Sequence, residues 1–512
     1  MRKRIALLLA ALLMVTGIAA AKGIPVTMFY QSARPINAYT ELTRQRVLQE
    51  TGVDMHLMQG GGNWKQQLSL QVTSSSAPDL IAFMDAATFQ GYATTGVFYD
   101  LTDLLPNYPH IMTYLSSVQG YTAEEMLAHT TFSGRVYGLP SVTVARSYYT
   151  ENIRADWLKR LKLTAPQTLA EWTEVMRAFT FGDPDGDGVD DTCGFSGSRG
   201  YNSLTPFFGA FGARPDSCYF LGKDGTVVTN VLSEQYRAAL GYLRDVYAEG
   251  LIDPEMFFAT DRQINEKWVD GAFGIWNSWW SGAGNALVRY NYGEKNPEDS
   301  ILIIDPPTGE NGQSGVIAQD PCENYFAVSA KCTHVEAVLA LIDYACTTDG
   351  QRTLMWGVEG QFWTQDQNGE INWYTGIDGK DSKGNVIGDM QAYRFFYNLP
   401  IENSVLQLNK SEAGRLYRES VAHYMAVPVY SDLFQGLSTE EYVSLNDELQ
   451  QYVEESGLRF IMGIADLDTD WNAYVGTYLS MGGDTVRSSL LNLYNRQHGT
   501  ALTFADESQV SP

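Results

Sequence analysis

The chain has 512 residues, 44% of them hydrophobic, which is more than one ordinary core accommodates and makes two or more lobes the expectation. Its formal charge of −25 excludes nucleic acid as a natural partner and suits neutral ligands rather than polyanions. Losing the positive charges of Arg2, Lys3 and Arg4 with a leader would take the charge to −28.

Those three residues precede an apolar run from Ile5 to Ile18 and then Ala19-Ala20-Ala21, the three-part layout of a secretory signal peptide over residues 1–21. Cleavage after Ala21 would leave Lys22 as the mature end, and an exported protein is expected: cell-surface, extracellular or periplasmic. No cysteine follows the run, so a lipid anchor at that point is not indicated. No later stretch is long and apolar enough to cross a bilayer.

Residues 24–30 (IPVTMFY) form a β-branched and aromatic run that predicts a strand, followed by a helix around Glu41 to Thr51. Gln66 to Ser74 predicts a second helix, Ala77-Pro78-Asp79 breaks it, and Leu80 to Phe83 resumes as a short strand. This alternation favours a mainly parallel α/β sheet. Gly134 to Pro140 predicts a hairpin or crossing strand and Val142 to Tyr149 another strand. Thr168 with Glu171 three residues later has capping-box spacing, and Ser233 to Glu249, His334 to Thr347 and Thr439 to Ser456 are the clearest later helices.

Between these lies Asp183-Pro184-Asp185-Gly186-Asp187-Gly188-Val189-Asp190-Asp191, with carboxylates at positions one, three, five and nine and glycine at six. A hard cation wants several oxygen ligands from a sharply turning chain, so a structural Ca²⁺ is expected, held by Asp183, Asp185, Asp187 and Asp191 side chains and the Val189 carbonyl. Position twelve is Gly194 rather than the bidentate Glu of an EF-hand sensor. A bare acidic turn is the alternative. The cysteines, Cys193, Cys218, Cys322, Cys332 and Cys346, lack C-x-x-C spacing, so neither a zinc site nor a disulfide framework is indicated.

Tryptophans cluster in GIWNSWWSG (Trp276, Trp279, Trp280), and Trp356 lies in LMWGVEG. Sugar rings present apolar C–H faces for which flat aromatic side chains are platforms, with core packing as the alternative for each Trp.

The order APDLIAF (77–83), GRVYGLP (134–140), NIRADWLKRLKL (152–163), PQTLAEW (166–172), GAFGIWNSWW (271–280), ILIIDPP (301–307) and the helix from His334 resembles the solute-binding proteins of carbohydrate ABC importers. RFIMGIADLDTDWNAYVGTYLSMGGD (459–484) resembles the C-terminal signature of their lipoprotein-type Gram-positive subgroup, which includes alginate-oligosaccharide binders. Two departures from that subgroup are the missing lipobox cysteine and Thr192 where a glutamate often completes the calcium shell.

The resemblance implies a bilobal periplasmic-binding-protein-like α/β fold with the ligand cleft at the hinge. One lobe would be built from 22–144 and 303–348, the other from 145–302 and 349–512. It implies that Phe83 and Asp85 line the cleft from the first lobe and Trp279 from the second, with Tyr149, Arg154, Trp280 and Trp356 as further candidates. Arg154 could donate to sugar hydroxyls or pair with an acidic neighbour. A monomer delivering an oligosaccharide or other polyhydroxylated solute to ABC permease subunits follows, with a peptide or acidic sugar as other cargoes. The rival is a secreted, calcium-stabilised glycoside hydrolase or polysaccharide lyase. It would need two carboxylates about 5 to 9.5 Å apart across a sugar, and no nucleophile, metalloprotease or phosphate-loop motif accompanies such a pair.

Overall fold

The computed structural model describes residues 23–30, 38–74, 77–118, 121–290, 292–296, 300–360, 363–367, 371–373 and 412–505; the expected signal peptide lies outside them. Among the described residues, 23–142 with 322–373 form one compact unit and 143–321 with 412–505 a second.

The main strands are β1 (Ile24–Tyr30), β2 (Val53–Gln59), β3 (Leu80–Met84), β4 (Leu139–Val142), β5 (Tyr149–Arg154), β6 (Cys193–Gly197), β7 (Phe273–Trp279), β8 (Ile301–Ile304) and β9 (Cys322–Val328). The principal helices of the first half are α1 (Ala38–Thr51), α2 (Trp64–Thr73), α3 (Ala86–Ala93), α4 (Leu169–Phe181), α5 (Glu234–Ala248) and α6 (Asp261–Asp270). They are followed by α7 (Gly282–Arg289), α8 (Val335–Ala345), α9 (Thr348–Trp356), α10 (Glu412–Ala426), α11 (Glu440–Ile461) and α12 (Asp484–His498).

The first unit carries a five-stranded sheet in the order β2-β1-β3-β9-β4. β1 runs parallel to both neighbours, whereas β9 runs antiparallel to β3 and β4. α1 and α8 pack on β2, burying Val47, Val338 and Leu341 with Val26 and Met28 of the sheet. GRVYGLP divides: Arg135–Val136 pairs back on Thr131–Phe132 as a hairpin, and β4 begins at Leu139. Gly138 is required there, because a Cβ would sit 2.6 Å from the Phe326 carbonyl oxygen and 2.5 Å from the Phe89 ring.

The second unit has a four-stranded sheet, β8-β5-β7-β6, with β5 antiparallel to β7 and β8 and β6 parallel to β7. Thr168 caps α4, and Glu171 reaches back to the Thr168 N–H, completing the capping box expected from their spacing. Trp172, Val175, Met176 and Phe179 then fall on one buried face, the i, i+3, i+4, i+7 stripe of a helix laid on a sheet. Ser233 and Thr439 cap α5 and α11.

The strand expected over 142–149 is two strand ends with an irregular stretch between them. Thr143 donates to the Pro321 carbonyl and Arg146 to the Tyr424 carbonyl instead of joining a ladder, and the chain leaves the first unit there. Two further segments lie outside the expected boundaries. Residues 303–321 belong with the second unit, because β8 pairs with β5 and Val316–Ile317 with Val429–Tyr430. Residues 349–373 belong with the first, because α9 packs on α8 and α1. None of the five cysteines is joined in a disulfide among the described residues. No helix among the described residues is long and apolar enough to cross a membrane.

α10 lies over β5 and β8 and places His423 beside the fully buried Glu151, with Nε2 3.5 Å from one carboxylate oxygen and Nδ1 3.3 Å from the exposed Asp305. The other Glu151 oxygen accepts from Asn277 at 3.0 Å. Burial alone would lower the imidazole's pKa, but the hydrogen bonds and charges of Asp305 and Glu151 outweigh it and raise the pKa to about 9. A raised folded-state value stabilises in full below the unfolded value of about 6.5 and loses that contribution as pH rises through about 9. Urea unfolding should therefore show stability falling by about 2–4 kcal/mol between about pH 6.5 and 9.5. A chain carrying both His423→Gln and Glu151→Gln should lack that slope; an equal slope in it would assign the loss to other groups.

Candidate functional site

In the second unit the antiparallel register sets Tyr149 opposite Trp279 where β5 begins and β7 ends. The Trp279 side of the pair remains 43% exposed, the expected state of an aromatic platform and not of a core side chain. Tyr149 meets Trp279 edge-on, with ring centroids 5.4 Å apart at 87°, and Tyr148 lies 4.8 Å away on another side. Trp279, Tyr149, Trp276 and Tyr290 line a cavity of about 270 Å³. That volume lies just below the range of sites that hold organic ligands, about 300 Å³ upward.

The polar lining consists of the hydroxyls of Ser198, Ser278 and Ser281, the amides of Asn265 and Asn285, and the Asp261 carboxylate. Trp276 is buried, and its indole N–H donates to Ser198 at 3.0 Å, which fixes that wall. Gly282 lets α7 start against the strand end, since a Cβ there would lie 2.4 Å from the Ser278 hydroxyl. An aromatic corner edged by hydroxyl, amide and carboxylate groups suits a ligand with apolar ring faces and many hydroxyls.

In the acidic loop, Asp183, Asp185 and Asp187 bring one carboxylate oxygen each within 4.8 Å of one another. Left-handed backbone at Asp183, Gly186 and Gly188 (φ 48°, 76° and 81°) turns the chain so that these carboxylates converge. The buried Oδ1 of Asp185 has no hydrogen-bond partner. Burial, then the charges of Asp187 and Asp191, hold the Asp185 carboxyl above its ordinary range. A buried, unsatisfied oxygen among converging carboxylates fits a hard divalent cation. Asp191 acts on Asp185 through its charge but is not one of the converging three.

In the first unit the carboxyl end of β3 carries Phe83 and Asp85. Phe83 has φ 62°, a left-handed conformation that costs a residue with a Cβ about 1–3 kcal/mol, and its ring packs against Tyr30 (4.9 Å) and Phe326 (5.1 Å). Asp85 caps α3 by accepting from the Thr88 N–H at 2.8 Å, and Lys65 binds its other oxygen at 2.7 Å. Burial disfavours its charged form, but the Lys65 and Thr88 hydrogen bonds outweigh this and lower its pKa. The carboxylate stays ionised and half-exposed beside Lys65, whose ammonium lies 5.6 Å from the Trp64 ring, at the strand ends where open α/β sheets bind ligands.

Residues 37–352, more than half of the chain, match the family described as bacterial extracellular solute-binding protein. The chain belongs to that family. Its relatives include lipoprotein LipO of Bacillus subtilis, 22% identical over 455 residues that cover 84% of each chain. The fructooligosaccharide ABC transporter substrate-binding protein FusA of Streptococcus pneumoniae is 28% identical over 259 residues, 48% of this chain and 47% of FusA. The structure of FusA in complex with kestose superposes with a TM-score of 0.67 at 19% identity, covering 93% of this chain and all of that one. The alginate-binding protein AlgQ2, solved without calcium ion, superposes with a TM-score of 0.66 at 19% identity, covering 93% and 98%. The fold is thus the bilobal, mixed α/β fold of solute-binding proteins.

Of the residues expected to bind the solute, this solute-binding protein brings Tyr149 and Trp279 into one cavity. Arg154 is not with them. It lies at the far end of β5, about 16 Å along the strand, almost wholly buried, bidentate to Asp156 (2.9 and 2.5 Å) and bonded to Asn296. With Trp157 and Tyr292 rings 4.9 and 5.5 Å from it, it is the structural ion pair of its two alternatives. Trp280 packs against Tyr417 and Tyr424 of α10 at 5.9 and 6.1 Å and is likewise a packing residue. Trp356 ends α9, and its side chain lies outside the described residues. Ser198, Asp261, Asn265, Asn285, Trp64 and Lys65 escape the sequence reading, because isolated polar residues carry no local signature. Thermal melts should separate the adjacent tryptophans: Trp280→Ala should cost about 2–4 kcal/mol of stability, whereas Trp279→Ala should stay within about 1 kcal/mol. Equal losses would place both in packing.

Proposed function

We propose that this solute-binding protein captures an oligosaccharide on the Tyr149–Trp279 corner and delivers it to ABC permease subunits outside the cytoplasm. The single observation that carries the reading is a half-exposed Trp279 held edge-on to Tyr149 over a cavity rimmed by hydroxyl, amide and carboxylate groups. The relatives' ligands support the cargo class: fructooligosaccharide for FusA, alginate for AlgQ2, and polygalacturonan/rhamnogalacturonan for YtcQ of Bacillus subtilis, which is 21% identical over 433 residues covering 82% of this chain and 81% of YtcQ. Phe83 and Asp85, with Trp64 and Lys65, are the candidate contacts of the first unit. Binding without turnover is the proposed activity, and export as a monomer the proposed state. Native mass spectrometry with a pool of neutral oligosaccharides should show an intact sugar adduct, weakened about tenfold or more in Trp279→Ala. Shortened sugars accumulating in the sample would reject this reading for the hydrolase.

The acidic loop is proposed to hold a structural Ca²⁺ through Asp183, Asp185 and Asp187, with Asp191 and the Val189 carbonyl completing the shell. The convergent carboxylates and the orphaned Asp185 oxygen support it. Saturation at about a hundredfold excess over Kd would add about 2.7 kcal/mol of stability. Calcium should therefore raise the melting temperature of the wild-type protein and leave Asp185→Asn with Asp187→Asn unmoved. A wild-type midpoint indifferent to both calcium and chelator would overturn the assignment.

A further inference from the structure

Arg199 is partly buried, yet no ion pair and no hydrogen bond from its guanidinium is formed among the described residues. Arg146, Arg160, Arg459 and Arg496 also lack ion pairs, but all four are exposed to water, where an unpaired charge costs little. The guanidinium carbon of Arg199 lies 4.1 Å over the Tyr149 ring, the same ring that stands edge-on to Trp279; Arg199 is not itself a lining residue of the cavity but borders it through Tyr149 and its chain neighbour Ser198, which are. Burial is the chief effect on Arg199, disfavouring its charge; Tyr149, Asp216 and Asp261 offset this only in part. Asp216 is already bidentate to Arg214 at 2.8 and 2.5 Å. Asp261, which lines the cavity, is near enough for its charge to be felt at both Arg199 and Tyr149 but forms no ion pair with either.

We propose that Arg199 and Asp261 are specificity-determining residues of the Tyr149–Trp279 cavity, an uncommitted donor and an uncommitted acceptor that together select a neutral polyhydroxylated ring. The inference rests on the sugar-binding reading above. Arg199 also acts as a positioning residue. Stacked on one face of Tyr149, it holds that ring perpendicular to Trp279, and the stack keeps the guanidinium from collapsing onto Asp261. Ligand hydroxyls satisfy both groups at once, because a hydroxyl accepts from the guanidinium through its lone pairs and donates its proton to the carboxylate. A ring carboxylate gains at Arg199 what it loses at Asp261, so a uronate has no net advantage in a site of balanced charge.

The test uses the whole mature protein with two probe pools: neutral di- to hexasaccharides, and oligogalacturonates of the same lengths. Wild type should give adducts from the neutral pool. Arg199→Met and Asp261→Asn should each weaken the strongest adduct about tenfold or more, and Arg199→Lys should recover part of the loss by restoring charge and donors without the flat stack. Without ligand, Arg199→Met should change the near-ultraviolet circular dichroism of the Tyr149–Trp279 pair while the melting temperature holds. Preference for oligogalacturonates, or wild-type affinity in Arg199→Met, overturns the specificity role, and an unchanged near-ultraviolet spectrum overturns the positioning role. Absence of adducts from both pools rejects the sugar-binding reading itself, and the ligand-free spectrum then still decides the placing of Tyr149.

Discussion

The pairing of β5 with β7 sets Tyr149 opposite Trp279, Glu151 opposite Asn277 and Ile153 opposite Ile275. Because side chains alternate along a strand, these three pairs share one face of the sheet, graded from an exposed aromatic corner through a buried carboxylate to the hydrocarbon core. A slip of one residue would turn Tyr149 and Glu151 to the opposite face and dissolve the corner. The remaining parts of the cavity, from Ser198 to Asn285, are brought to this register by neighbouring elements and make sense only once it is fixed.

The same strand carries an electrostatic cost that the fold must meet. Glu151 is wholly buried, and its charge is tolerated because Asn277 donates to one oxygen and His423 stands beside the other. The imidazole comes from α10, which begins only at Glu412, far along the chain from β5. Closing the second unit with its late helices is therefore also what neutralises its central strand. Arg154, at the far end of the same strand, stands apart from this balance, its charge met locally by Asp156.

Features written in short-range spacing were legible in the sequence. The Thr168–Glu171 capping box, the helices beginning at Ser233 and Thr439 and the acidic loop each depend on residues within a few turns of one another. The stretch 142–149 misled because its apolar residues have strand periodicity, whereas its hydrogen bonds go to Pro321 and Tyr424, which no local pattern can indicate. Arg154 and Trp280 were ambiguous for the same reason. Asp156 was in view two residues away, but the Tyr292 ring beside Arg154 and the α10 tyrosines that receive Trp280 come from distant segments. The exposure of Trp279 was legible because glycine and polar neighbours already set it apart from a core run. Arg199 and Asp261 were not, because their meaning comes wholly from Tyr149.

None of the five cysteines is joined in a disulfide among the described residues, four of them are buried, and burial pushes the thiol of the fifth, Cys193, up to about 12. A thiol that is protonated and covered reacts slowly with electrophiles. The folded surface is therefore almost silent to thiol chemistry, so a single cysteine introduced at an exposed position would carry a dye or spin label without any native thiol first being removed. This protein can thus report on its own ligand capture through one attached probe.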